Sequence, residues 1–157
     1  MRILAVDPGK MTGLAETFVT YKRPLDLTSG VLQLKRWELP YLEALDAAAQ
    51  IILEDGVDAV VCENYIVGMG TVRKAQGENW SLRSIGALEW MCHNTNTKFV
   101  LQKPADAKAF STDEKLHEID WWLPGHPHAN DSLRHLLLWL ARNGHWDVAV
   151  ALTPVVK

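Results

Sequence analysis

The stretch "RILAVDPGKMTGLA", residues 2–15, constrains this chain more than any other. Arg2 to Val6 reads as a short apolar strand that runs straight into Asp7, where Pro8-Gly9 forces a turn. Gly13 follows, and a second apolar stretch begins. A strand that ends on a carboxylate fixes a charge at the end of a sheet. The pattern returns in "VDAVVCEN", residues 57–64, a buried strand closing on Glu63. If the two strands are neighbours, Asp7 and Glu63 sit side by side.

The rest of the chain suggests how those strands are framed. Residues 13–21 make a second strand, and residues 30–37 alternate with period two as a third. Pro40 to Gly56 reads as a helix, with Pro40 in its first turn and Gly56 as its stop. Leu42, Leu45, Ala49 and Ile52 recur there at helical spacing. Residues 65–79 hold three glycines and the adjacent Arg73 and Lys74, and read as a loop. A helix follows from Trp80, then a strand over 97–102. Residues 103–128 read as irregular, with one short helix near Ala105–Phe110. Residues 130–144 form a closing helix, with Leu133, Leu136, Leu137 and Leu140 on one stripe and Gly144 ending it. The tail from His145 takes no assignment. Three strands and then helix–strand alternation imply a mixed α/β sheet with helices on its faces. Without repeats or linkers, residues 1–157 read as a single domain.

Composition narrows the class. Cys62 and Cys92 lie far apart without metal-type spacing, as expected of two free thiols in a reducing compartment. The longest apolar run, Leu136 to Ala141, is far too short for a membrane span. The chain enters a patterned strand directly, so a soluble, cytoplasmic protein is expected. A net charge of −3 is unlike a typical basic nucleic-acid binder. The charge is segregated, however. Residues 68–110 carry six basic and three acidic residues, +3, which leaves −6 for the remainder. A basic patch can coexist with an acidic site, although scattered solvated charge gives the same sums.

A third acid, Asp131, opens the closing helix, and His128 lies three residues before it, on one face of a first turn. Each residue has a plain structural reading. Asp7 is then a turn former, Glu63 marks a strand leaving the core, Asp131 is a helix N-cap and His128 a surface residue. Together they mean more, because carboxylates crowded at the end of an apolar sheet repel unless a cation neutralises them. Hard oxygen ligands suit magnesium or manganese.

At these residues the chain resembles a known family. "ILAVDPGKMTGLA", "VVCENY" and "HPHANDSLRHLL" look like the three motif blocks of the RuvC-like Holliday junction resolvases, in the RNase H-like superfamily. The resemblance covers residues 1 to about 143 and looks more like phage-type members. It implies an RNase H-like fold with a mixed five-stranded central sheet flanked by helices. It also implies a homodimeric crossover junction endodeoxyribonuclease that cuts branched DNA, in host cytoplasm if phage-encoded. Asp7, Glu63 and Asp131 match the family's carboxylates, and His128 falls where members carry Asp or His. The four would hold two Mg²⁺, with Mn²⁺ as substitute, about 4 Å apart around a scissile phosphate. The helix from Trp80 would lie near the dimer interface, with Leu88 or Trp90 in contact.

Arg73, Lys74, Lys103 and Lys108 are the candidates for holding phosphates. Tyr65, just past Glu63, could stack on an unpaired base or simply pack. Trp121-Trp122 reads as packing. The rival readings are a nuclease of the same fold acting on flaps or RNA, and a non-catalytic nucleic-acid-binding module.

Overall fold

Strand periodicity divides the molecule into two layers around one sheet. The computed structural model describes residues 1–19, 33–66 and 79–152. Five strands, β1 (Arg2–Asp7), β2 (Met11–Phe18), β3 (Gln33–Pro40), β4 (Ala59–Glu63) and β5 (Lys98–Gln102), stand in the order β3-β2-β1-β4-β5. The first three form an antiparallel meander, and β4 and β5 add in parallel. This is the mixed sheet expected. β2 starts at Met11, two residues earlier than its apolar run suggested, because the turn needs only Pro8 to Lys10. β3 lies later than residues 30–37, since pairing with β2 carries it to Pro40. The strand ends expected at residues 20–21 and 30–32 lie outside the described residues.

Successive strand residues face opposite layers. Leu4, Val6, Leu14, Val60 and Cys62 pack with helices α1 (Tyr41–Ala49) and α2 (Trp80–Thr95). Helix α1 runs on as a π-helical turn, Gln50–Asp55, before Gly56 ends it at φ +79°. Pro40 is its N-cap rather than part of its first turn. The face it buries keeps Leu45 and Ile52 of the expected stripe but turns Leu42 outward and is centred on two alanines. Ala44, Ala48, Ile51 and Ile52 point inward, while Leu42 is 67% exposed. The small alanines let the helix approach the sheet closely, and the spacing of Ala44 and Ala48 serves as well as that of the leucines. Helix α2 starts at Asn79, whose Oδ1 accepts from the Leu82 amide at 3.1 Å, and it ends at Asn96, which is left-handed at φ 55°.

On the other face, Ile3, Ala5, Ala15, Ala59 and Val61 meet Leu133, Leu136, Leu137 and Leu140 of helix α5 (Pro127–Arg142). Helices α3 (Pro104–Phe110), α4 (Asp113–Glu118) and α6 (Trp146–Ala151) accompany it. Short helices α4 and α6 fall where the sequence reads as irregular or unassigned, because each has too few residues to show a period. Leu116 of α4 and Val148 of α6 are nonetheless fully buried in this layer. They share a cluster with Trp139, only 5% exposed, so α5 is buried on more than its leucine stripe. Trp121 and Trp122 pack against the same cluster, as the packing reading has it. Among the described residues no helix is long and apolar enough to cross a membrane.

Both cysteines are free and buried in the α1–α2 layer. Burial pushes the Cys92 thiol up to about 11, and burial aided by the nearby charges of Asp7 and Glu63 raises the Cys62 thiol as well. At pH 8 roughly one Cys92 in a thousand is then thiolate. Neither thiol should react with a disulfide reagent in the native protein, whereas both should titrate in guanidinium. Rapid labelling of the native protein would contradict this packing.

Candidate active site

The alternation that builds the core also aims the polar strand ends. Asp7 follows Ala5 and Glu63 follows Val61, so both carboxylates face α5. Ala5 lies beside Val61 and Val6 beside Cys62, so Asp7 and Glu63 leave adjacent parallel strands at one level. Asp7 pairs with Gly13, Gly13 with Glu38, and Glu63 with Gln102. Glu38, Gly13, Asp7, Glu63 and Gln102 thus form one row across the sheet under the helix.

Gly13 is where the helix docks. A Cβ there would overlap the His128 carbonyl group and stand 2.8 Å from the Ala129 nitrogen. Glu38 holds the same turn from the next strand. Its Oε2 accepts from the backbone N–H groups of His128 at 3.0 Å and Ala129 at 3.3 Å. An acid belongs there, because the first N–H groups of a helix lack partners and carry partial positive charge. Helix α5 therefore begins at Pro127, with His126 as N-cap, three residues before the start expected. Asp131 is not an N-cap but a second-turn residue one turn beyond His128.

This seating puts the His128 Nδ1 2.8 Å from Asp7 Oδ2. The His128 pKa is raised, chiefly by that hydrogen bond and also by the charges of Asp7, Glu38 and Asp131, against the opposing effect of burial. Asp7 is only 6% exposed, and burial drives its carboxyl pKa up. The His128 hydrogen bond opposes that rise, while the charges of Glu63 and Asp131 add to it. The three carboxylates and the histidine expected from sequence therefore share one electrostatic neighbourhood.

They do not close on a common point. Among the described residues no group of three or more His, Cys, Asp and Glu side chains stands close enough to hold one ion. Each acid is instead occupied by a neighbour. Glu63 Oε2 takes a hydrogen bond from His135 Nε2 at 2.9 Å. Asp131 pairs with Lys108 Nζ at 3.1 Å and with Arg134. The Arg134 guanidinium is buried, reaches the Ser111 carbonyl at 2.7 Å, pairs with Asp113 and lies over the Trp122 ring. The chemistry of the set still fits a hard divalent cation, since three carboxylates and an imidazole raise one another's cost of charge.

The remaining expected residues are distributed unevenly. Tyr65 lines a cleft of about 190 Å³ with Pro8, Glu63, Asn64, Ile66, Ser81 and Pro104. Lys103 is exposed at the N-cap of α3. Lys108, expected on phosphate, is engaged by Asp131 because α3 packs beside α5. Arg73 and Lys74 lie outside the described residues. Sequence reasoning missed Glu38, Gln102, Arg134 and His135. Positions 134 and 135 lie three and four residues after Asp131, which is helical-face spacing, but the leucine-rich run around them reads only as core.

The chain as a whole has counterparts among solved structures. RuvC of Thermus thermophilus superimposes with a TM-score of 0.63 at 15% identity, covering 92% of this chain and 98% of that chain. The same organism's RuvC in complex with a Holliday junction substrate gives a TM-score of 0.59 at 15% identity, over 92% and 98% of the two chains. The fowlpox virus Holliday junction resolvase gives 0.61 at 16% identity, over 91% of this chain and 99% of that one. The fold is that of the RNase H-like, RuvC-type resolvases. No family model and no curated protein matches the sequence.

Gly13→Ala tests the seating of α5. The added methyl meets backbone rather than a flexible side chain, so the helix must move. Stability should fall by about 1–3 kcal/mol in chemical denaturation, and a crystal structure of the variant should show His128 drawn away from Asp7. Unchanged stability would mean that the helix does not rest on this residue.

Proposed function

We propose that this chain is a metal-dependent endonuclease that cuts branched DNA of the Holliday-junction type. One observation carries the reading. Asp7 and Glu63 stand at one level of the sheet, facing Asp131 and His128 of α5, on a fold shared with junction resolvases. Asp7, Glu63 and Asp131 would hold Mg²⁺, with His128 as further ligand and Mn²⁺ able to substitute. Once bound, a pair of such ions polarises the scissile phosphodiester and makes water a stronger nucleophile.

The chain's own residues set the stage for that chemistry. β1 and β4 hold the Asp7 and Glu63 carboxylates on rigid backbone, and Glu38 anchors the turn that presents His128. Lys103 lies exposed beside the end of β5, where it can meet a phosphate. Lys108 and Arg134 balance Asp131 and link it to α3 and α4. The apolar walls of the Tyr65 cleft can receive an unstacked base next to Glu63. The same reading assigns phosphate contacts to Arg73 and Lys74, and one domain to the whole of residues 1–157.

A homodimer would give the two symmetric cuts that a four-way junction needs. Trp90 is 63% exposed and Leu82 48% exposed on α2, and Leu42 is exposed on neighbouring α1. Leu88, the other residue expected in the contact, is buried in the core at 1% exposure and is not available. Sedimentation should show a dimer that Trp90→Glu converts to monomer. A wild-type monomer at micromolar concentration that still cuts symmetrically would contradict the dimer.

Four-way junction, flap, duplex and RNA–DNA hybrid should be compared with and without Mg²⁺. Junction cleavage alone, abolished by chelator, is the expected result. Preferential cutting of flap or hybrid would move the substrate elsewhere, and full activity in excess chelator would remove the metal.

Asp7→Asn and Asp131→Asn should each abolish cutting while leaving junction binding intact. Asp7 has a raised pKa, so its charge opposes folding at pH values above that pKa. Asp7→Asn should therefore melt at or above the wild-type temperature at pH 7. A large drop would mean that the Asp7–His128 pair is worth more than the cost of burying the charge.

A further inference from the structure

His135 lies outside the expected site residues and is chemically out of place among its neighbours. It is 1% exposed, on a helix whose adjacent buried positions are mostly leucine. Burying an imidazole costs free energy unless its ring nitrogens find partners, and an apolar side chain would fill this position without that cost. Both nitrogens are engaged. Nε2 is 2.9 Å from Glu63 Oε2, and Nδ1 is 2.9 Å from Gln102 Oε1. Gln102 is itself only 5% exposed.

The sheet explains the arrangement. Glu63 and Gln102 are register partners at the ends of β4 and β5, and both face α5. His135 comes down between them from the helix. An ionised carboxylate only accepts hydrogen bonds, so Nε2 carries the hydrogen that Glu63 receives. Nδ1 lies against the Gln102 side-chain amide, a second contact that holds the ring between the two strand ends. One oxygen of Glu63 is thereby fixed. The carboxylate stays partly exposed, on the strand next to that of Asp7.

We propose that His135, held by Gln102, is a positioning residue that orients the Glu63 carboxylate for a divalent cation. This rests on reading Glu63 as a metal ligand. Partners of this kind typically change metal affinity about 10- to 100-fold when removed.

The test uses the full chain, with Mn²⁺ binding followed by electron paramagnetic resonance and the Glu63 carboxyl carbon followed by NMR. His135→Leu should keep the fold, lower Mn²⁺ affinity about 10- to 100-fold and shift the Glu63 resonance. His135→Gln, whose amide can still donate, should restore much of both. Gln102→Leu should weaken binding in the wild-type background and add nothing in the His135→Leu background. If His135→Leu does not fold, Gln102→Leu carries the test alone, because it leaves the ring in place. Wild-type Mn²⁺ affinity with an unmoved Glu63 resonance in either folded variant overturns the proposal. A shifted Glu63 resonance in a protein whose wild type binds no Mn²⁺ overturns the metal reading of the site instead, and with it the role given to His135.

Discussion

The seat of α5 on Gly13 is the contact on which the rest depends. Four strands deliver polar residues to one level of the sheet, but none of those strands carries Asp131 or His128. The helix supplies both, and its first turn lies against the sheet only because position 13 has no side chain. Glu38 then ties down the N–H groups of that turn. A displacement comparable to one methyl group would separate His128 from Asp7, in a geometry where a hydrogen bond tolerates only a few tenths of an ångström.

Charge is the second constraint. Bringing Asp7, Glu63 and Asp131 together at the end of an apolar sheet is unfavourable: burial raises the Asp7 pKa most, and the charges of Glu63 and Asp131 add to the rise. The molecule offsets it acid by acid. His128 meets Asp7, His135 meets Glu63, and Arg134 with Lys108 meets Asp131. Three of these four partners are on α5 itself, so the helix that completes the site also supplies most of the partners of its acids. A buried Arg134 is tolerable because Ser111, Asp131 and Asp113 occupy its donors.

Those partners require a helix covered on several sides. The leucine stripe of α5 was legible and lies fully buried on the sheet. Arg134 and Trp139 are buried as well, because α3, α4 and α6 close over the helix. The last two are too short to announce themselves by periodicity, and α4 is set by a local cap, the Thr112 hydroxyl accepting from the Lys115 amide. The buried face of α1 departs from its leucine stripe at Leu42 for a related reason. Hydrophobicity favours its leucines, while close approach to the sheet favours its alanines.

Local patterning sufficed for the strands that end on Asp7 and Glu63, for a mixed sheet, and for His128 and Asp131 one helical turn apart. Those features follow from local rules, in which period-two and period-3.6 patterns decide which residues share a face. Local patterning did not determine the partners of the acids. Glu38, Gln102, Arg134 and His135 are ordinary strand-end or helix-interior residues until the β4–β5 register and the docking of α5 bring them into contact. Long-range packing turns Lys108 to Asp131 and places Leu88 in the core. Such contacts join segments far apart in the chain, where no local period carries information.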